Sequence, residues 1–541
     1  MPEHLLSLVV LLSPVLFAAT AVVSWFQPGL LPELVKKLSI FSALLSILAA
    51  AVSGFFVYRY GLLESTLVGI DGVGLSIRLD TVSVLMFAMI ALLGFIIMKF
   101  SQNYLDGDPK QGAFLGRMAA TLASVQLLVL SGNLGLLLLS WVLTSVSLHR
   151  VLLFYPERRG AVIAARKKFI LARVGDVCLL GASIVLYQQF GTGNLEAIFQ
   201  QIQSNVSAGV AQPAVESAGV FLVLAALLKS AQFPTHGWLV EVMETPTPVS
   251  ALLHAGLLNA GPFLIIRMAF VMDASVYAPL VLIAVGGFTA LFASVVFMTQ
   301  TSVKTALGYS SVAHMGFSLM VCGLGAYPAA MLHLVAHSFY KAHAFLASGS
   351  AIDVIRASKV VKATRLGNPF RIVLGIFLAL GVYVGFSLLL GFDLTADLPL
   401  LAVGAIIIMG LSRIFTSAVD SNGGVKLFVT ACLLAILVAT SFFALEGGTH
   451  QMLSSQLPLP THPSLAEIIL TGVLLGFFGT TVLLQILAPA ISSRPAYRAW
   501  AVHIRNGLYL NAIFDRWVGA FSTTPHSNSL IVKTNAKNLR K

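Results

Sequence analysis

Residues 225–268 read AALLKSAQFPTHGWLVEVMETPTPVSALLHAGLLNAGPFLIIRM. An apolar run carrying Lys229 leads into a break with Pro234, Pro246 and Pro248, and a second apolar run carrying His254 follows. Apolar runs of about twenty residues cross a hydrocarbon core of about 30 Å. Backbone released from a helix at that depth is tolerated only where it is buried in protein or lines a wet cavity, and transporters place ion sites at such discontinuities. A proline-broken helix with a lysine beside the break points to a cation or proton translocator.

The composition agrees. Of 541 residues, 57% are hydrophobic and 10% charged, against about 25% charged in soluble domains. The chain is an all-α polytopic membrane protein in which about fifteen spans recur: roughly 4–26, 38–60, 79–99, 112–131, 133–154, 168–190, 214–233, 248–271, 276–298, 302–324, 328–352, 369–391, 398–417, 426–446 and 466–488. The first lacks a basic leader and a small-residue cleavage site, so it reads as a retained span rather than a signal peptide. Cys178, Cys322 and Cys432 stand far apart and suggest neither a disulfide framework nor a cysteine metal site.

The net charge of +12 serves orientation rather than nucleic-acid binding. Loops after odd-numbered spans hold Lys36 and Lys37, then Lys110, then Arg158, Arg159, Arg166 and Lys167, then Lys304, then Arg356, Lys359, Lys362 and Arg365, then Arg494 onward. Loops after even-numbered spans are nearly free of Lys and Arg, with Arg59, Arg78 and Arg267 the exceptions. The positive-inside rule then puts the N-terminus outside and the C-terminus in the cytoplasm of a bacterial inner membrane. Residues 496–521 mix aromatics with Arg498, Arg505 and Arg516, as an interfacial amphipathic helix does, and a basic tail follows.

Ionisable side chains inside a bilayer are costly and usually face the bundle interior or a wet path. Desolvation favours a neutral amine, so a lysine at the place of Lys229 can exchange its proton, or it can snorkel to a nearby interface. Asp176 can tune such a lysine, and a plain Arg173–Asp176 contact at i, i+3 is the equal alternative. His254 is a path residue or a packing histidine. His333, His337 and Lys341, at i, i+4, i+8, share one stripe, the design of a proton relay. His333 and His337 could also be a zinc pair, but no glutamate sits between them and no third ligand is evident, so no metal or cofactor is expected in this chain. His343 lies off the stripe. Lys304, beside Ser302 and Thr305, is an orienting charge or an entrance group, and His314 is a further candidate. Glu241 and Glu244 are solvated carboxylates or, with His236 and Trp238, proton gatherers at a mouth.

These residues carry a resemblance. Lys229-Ser-Ala-Gln-Phe-Pro234, Trp238-Leu, and Pro246-Thr-Pro-Val-Ser-Ala-Leu-Leu-His254-Ala resemble the signature of the proton-translocating membrane subunits of respiratory complex I and Mrp cation/proton antiporters. So do Arg173-Val-Gly-Asp176-Val, Lys304 with Tyr309-Ser-Ser, and His333-Leu-Val-Ala-His337-Ser-Phe-Tyr-Lys341-Ala. The likeness runs over roughly residues 70–415. It implies two inverted five-helix repeats, at 112–271 and 276–418, with peripheral spans at 1–111 and 426–488 and an interfacial helix and tail at 489–541. It also implies a proton path through Lys229, His254, His333, His337 and Lys341, flanked by Asp176 and Lys304.

Departures narrow the branch. The family's fifth span usually carries Trp-Glu, and here Trp141 is followed by Val142. The twelfth span, 369–391, lacks the proline break and lysine of respiratory members, and no long lateral helix follows the fifteenth. The wording from His236 to Glu244, and from His254 to Gly261, looks more like DabB, the membrane subunit of the two-part DAB inorganic-carbon accumulation complexes of bacteria. That resemblance implies a large zinc-containing, carbonic-anhydrase-like partner of the DabA kind, with H⁺ or Na⁺ flow through this non-enzymatic subunit energising bicarbonate accumulation. The alternatives are a pumping subunit of a complex I-like NADH-quinone oxidoreductase or an Mrp antiporter, and a membrane anchor for a soluble enzyme.

Overall fold

The computed structural model describes residues 6–350, 368–389, 398–421, 424–458, 463–491 and 494–517. Fifteen long helices follow in chain order: α1 (Val9–Phe26), α2 (Glu33–Tyr60), α3 (Thr81–Tyr104), α4 (Gln111–Val129), α5 (Leu134–Leu152), α6 (Arg159–Phe190), α7 (Pro213–Lys229), α8 (Thr247–Arg267), α9 (Tyr277–Phe297), α10 (Val303–Gly323), α11 (Tyr327–Leu346), α12 (Pro369–Leu389), α13 (Leu398–Val419), α14 (Gly424–Leu453) and α15 (Leu465–Ile491). Two short helices, α16 (Pro495–Arg505) and α17 (Leu510–Trp517), complete the described chain. Twelve of the fifteen are long and apolar enough to cross a membrane. The other three are α7, with 17 residues, and α10 and α11, whose histidines and lysines lower their hydropathy. The chain is a multi-pass integral membrane protein, and its polar helices are the ones the sequence marks for ion chemistry.

Position in the bundle follows burial. The apolar window of α8 is 100% buried and that of α15 only 11%, which makes α8 the axis and α15 the rim. Around α8 pack α3, α7, α10 and α11, and α7 in turn packs along α6. Close helix approach depends on small residues, as expected where lipid supplies no hydrophobic drive. A Cβ on Gly112 or Gly116 of α4 would collide with Gln27 or Ser24 of α1, and one on Gly261 of α8 would collide with Ser230 at the end of α7.

Several expectations are corrected. Arg166 and Lys167 are helical rather than loop residues, because α6 begins at Arg159, and Lys36 and Lys37 lie on α2. The eighth span is not continuous: Gly256 departs from helical angles and a 3₁₀ turn occupies Leu257–Asn259. The interfacial segment is two helices, α16 and α17, kinked at Gly507–Tyr509 with positive φ throughout. The loop charges Arg356, Lys359, Lys362 and Arg365 and the tail beyond residue 517 lie outside the described residues.

Two small features were not foreseen. A two-residue hairpin joins β2 (Val68–Ile70) to β3 (Val73–Leu75), while β1 (Leu63–Glu64) pairs with β4 (Arg78–Leu79). The hairpin turns on Asp71-Gly72, both at positive φ, which is the favoured chemistry for such a loop. An amphipathic helix, Leu195–Ser207, buries Leu195, Ile198, Phe199 and Ile202, a helical i, i+3, i+4, i+7 face.

These elements explain two exceptions to the charge pattern. Arg78 and Arg267 are structural. Asp80, 1% exposed, caps α3 through Ser83 N (2.8 Å) and accepts from Arg267 (2.5 and 3.1 Å) and from Arg78 (2.8 Å). Arg78 also reaches Glu196 at 2.7 Å and Glu64 at 3.3 Å. Burial alone would raise the Asp80 carboxyl, yet Arg267 and Arg78 hold it well below the usual carboxylate range. A carboxyl depressed in the folded state stabilises fully above its unfolded value of about 3.9, and the gain fades only as stronger acid protonates it. Asp80→Ala should therefore cost about 3–5 kcal/mol by leaving the Arg267 guanidinium buried without its carboxylate, while Arg78 keeps Glu196 and Glu64. The check is the thermal unfolding midpoint in detergent, which should fall by a similar amount at pH 5 and pH 8.

Candidate ion-translocation site

At the end of α7 the helix stops at Lys229, with Ala231 at positive φ, and a short helix resumes at Gly237–Glu241. The freed backbone is satisfied by protein. Phe233 N donates to Thr289 Oγ1 of α9 at 3.1 Å, Thr235 Oγ1 to Gln232 O at 3.0 Å, and Ser230 Oγ to Leu258 O of the α8 break at 3.1 Å. This is the packing that lipid depth requires.

Lys229 faces the bundle, not lipid. Its Nζ donates to Trp141 O (3.1 Å), Thr144 Oγ1 (2.9 Å) and Ser145 Oγ (2.7 Å) and sits 4.2 Å from the Trp141 ring centroid. Ser145 is shared: its carbonyl accepts from Lys168 Nζ of α6 at 2.7 Å. Asp176 pairs with Arg173 at 2.7 Å and lies within electrostatic reach of both lysines. The plain Arg173–Asp176 contact at i, i+3 is thus present. Val142 leaves α5 without a carboxylate next to Trp141, and α5 offers Lys229 neutral oxygens instead.

A second group lies on the far side of α8. His254, fully buried, stacks on Phe345 at 4.3 Å between centroids. Lys341, also fully buried, donates to Leu307 O of α10 at 3.1 Å. His337 is buried, and the half-buried His333 meets His314 of α10, Nε2 to Nδ1, at 3.2 Å. The three rings of His314, His333 and His337 are mutual neighbours, with centroids 4.7–5.8 Å apart. The expectation that no third ligand accompanies His333 and His337 is thereby revised, because helix packing supplies His314. Among described residues no hydrogen bond joins Lys229 to this group. The link runs through α8, where Ser230 binds Leu258 O and Asn259 Nδ2 binds Ser338 Oγ at 2.6 Å, beside His337.

The remaining candidates lie on the side of the break. His236, 1% exposed, is caged by Phe233, Phe292 and Tyr309. Lys304 is half-buried with Thr247 Oγ1 at 3.5 Å, Glu244 is exposed beside Gly160 of α6, and His343 is exposed. Glu241 is tied down: it accepts from the fully buried Lys167 at 2.7 Å and from Asn511 of α17 at 2.6 Å. Lys167 also pairs with Asp515 of α17 and donates to Asn511 Oδ1 at 3.1 Å.

The family described as NADH:quinone oxidoreductase/Mrp antiporter, transmembrane, matches residues 131–419, and the complex I chain 5 N-terminal family matches residues 70–115. A probable inorganic carbon transporter subunit DabB2 of Halothiobacillus neapolitanus is 34% identical over 522 residues, 95% of this chain and 93% of the relative. The chain belongs to the DabB branch of this antiporter-like family. A probable DabB of Hydrogenovibrio crunogenus is 41% identical over 57% of this chain and 60% of its own length, and the NAD(P)H-quinone oxidoreductase chain 5 of a Synechocystis strain is 34% identical over 51% of this chain and 40% of its own. Among solved structures, the Mrp complex of Dietzia sp. superposes with a TM-score of 0.65 at 21% identity, over 97% of this chain and 61% of that one. The archaeal membrane-bound sulfane sulfur reductase gives 0.57 at 17%, over 94% of this chain and 99% of that one. These two bear out the fold alone.

Sequence reasoning missed Lys168, although it lies two helical turns from Asp176 on the same stripe; a span placed to begin at residue 168 hid it. It also missed Asn259, Ser338 and the α17 residues, which only tertiary packing brings in. Lys167→Ala should free α17 from the short helix Gly237–Glu241. Hydrogen exchange of residues 510–517 should rise at least about 10-fold, with α5 unchanged.

Proposed function

We propose that this chain is the cation-translocating membrane subunit, with protons as the coupling ion, of a two-part bacterial inner-membrane complex that accumulates inorganic carbon. The observation that carries the reading is the inward-held Lys229 ammonium, bound by three oxygens of α5 and flanked by Lys168 and Asp176. Helices α4–α8 and α9–α13 act as the two inverted repeats, with Lys229 at the break of the first and Lys341 in the second. The proton path runs between the polar break and Lys341, His337 and His333, past the α8 discontinuity beside His254. DabB names among the relatives supply the substrate class. The partner would be a DabA-like, zinc-containing subunit of carbonic-anhydrase type, with the hydration chemistry there and no cofactor here.

Energetics favour such a coupling. Hydration of carbon dioxide is reversible, so accumulation of bicarbonate needs a downhill process. One charge crossing the membrane supplies about 2.3 kcal/mol per 100 mV. The inward-facing lysines and histidines are costly inside a bilayer, and a mere anchor gains nothing from them. Lys229→Ala should abolish growth in ordinary air while leaving growth at elevated carbon dioxide intact, with the complex still assembled. Equal growth of the variant under both atmospheres would sink the reading.

A further inference from the structure

We infer that His314, His333 and His337 form a binding site for one divalent transition-metal ion, Zn²⁺ foremost, within the second half of the bundle. Their ligand nitrogens all lie within 4.8 Å of one another. The His314 Nδ1 to His333 Nε2 separation of 3.2 Å is close to the edge of about 3.3 Å of a tetrahedron with metal–nitrogen bonds of about 2.0–2.1 Å. A pair of imidazoles at this distance can share a proton or a metal. The third ring decides between them.

His337 is 4% exposed, and neither of its ring nitrogens has a hydrogen-bond partner among the described residues. A buried polar group left without a partner costs about 1–3 kcal/mol. A metal at the centre of the three rings would satisfy it. The frame is also rigid in the right way: His333 and His337 are one turn apart on α11, and His314 projects from α10, which packs along α11.

The donor set selects the ion class. The three ligands are imidazoles with no carboxylate in the cluster. Such a set suits Zn²⁺, Cu²⁺ and Ni²⁺, whereas Mg²⁺ and Ca²⁺ take oxygen ligands. Three protein ligands leave a fourth position open. His314 and His333 border a cleft of about 420 Å³, also lined by Ser310, Arg413 and Gln485, which gives the fourth position room for water or a small anion. A bound ion would occupy the lone pairs that a proton relay along α11 uses, so Zn²⁺ is an inhibitor of that relay. The binding itself requires neutral rings but not that they conduct protons through the bundle.

The test is equilibrium dialysis of the full chain in lipid nanodiscs, with any polyhistidine tag removed, against buffered Zn²⁺. Bound metal is counted by mass spectrometry, and zinc K-edge absorption reports the ligands. One Zn²⁺ per chain with three imidazole nitrogens is expected, weakened at least about 100-fold in His314→Ala and in His337→Ala. His343→Ala, changing an exposed histidine off the cluster, should retain it. Unfolding midpoints close to the parent keep loss of fold from passing as loss of site. No Zn²⁺ retained by the parent chain, or Zn²⁺ retained equally by the His314 and His337 variants, would overturn the proposal. This readout needs no ion flow, so it separates from failure of the functional reading above.

Discussion

Backbone at membrane depth must find its hydrogen bonds inside the protein, and residues 230–246 are where this chain meets that demand without a continuous helix. Each freed group recruits a neighbour. Phe233 N takes Thr289 of α9, Ser230 takes Leu258 of α8, and Gly261 leaves the room in which Ser230 sits. The break therefore ties α7, α8 and α9 together, and it fixes the helix end from which Lys229 projects.

The same constraint shapes the charge arrangement. Around Ser145 stand Lys168, Lys229 and Arg173 with Asp176 as the carboxylate, a basic excess in a place where charge is costly. Carbonyl and hydroxyl oxygens offset it in part, and the Trp141 face adds a cation–π contact. A glutamate at position 142 would neutralise one more of these charges. With valine there, the group depends on neutral acceptors and on Asp176. The second group relies on rings instead: His254 on Phe345, and three histidines on one another. At the α8 discontinuity, Leu258 O and Asn259 Nδ2 hydrogen-bond to elements of both.

The order of the long helices and the polar ones among them were legible because hydropathy over twenty residues is a strong signal, and the stripe His333, His337, Lys341 follows from helical spacing alone. Helix breaks without proline were not. α8 leaves helical angles at Gly256, and Asn259 Nδ2 bridges Ala255 O to Ser338 Oγ of α11, a tertiary arrangement that no local pattern announces. His314 could be named but not placed, since its neighbours lie on a different helix. Asp71-Gly72 did carry a readable turn signal, and so did the apolar face of residues 195–202; long hydrophobic runs on either side drew attention from both. The arginines at 78 and 267 looked like breaches of the charge rule because their carboxylate, Asp80, is far from one of them in sequence.

The oddest departure from expectation, basic residues on a helix rather than in a loop, has the largest structural consequence. Lys167 and Lys168 are adjacent, so their side chains leave α6 about 100° apart. Lys167 turns toward Glu241, Asn511 and Asp515, holding α17 against the short helix beyond the break. Lys168 turns toward Ser145 and so toward Lys229. One turn of α6 thereby carries both the clamp on the C-terminal helix and a wall of the lysine group. α17 and the lysine group are thus both anchored on one turn of α6.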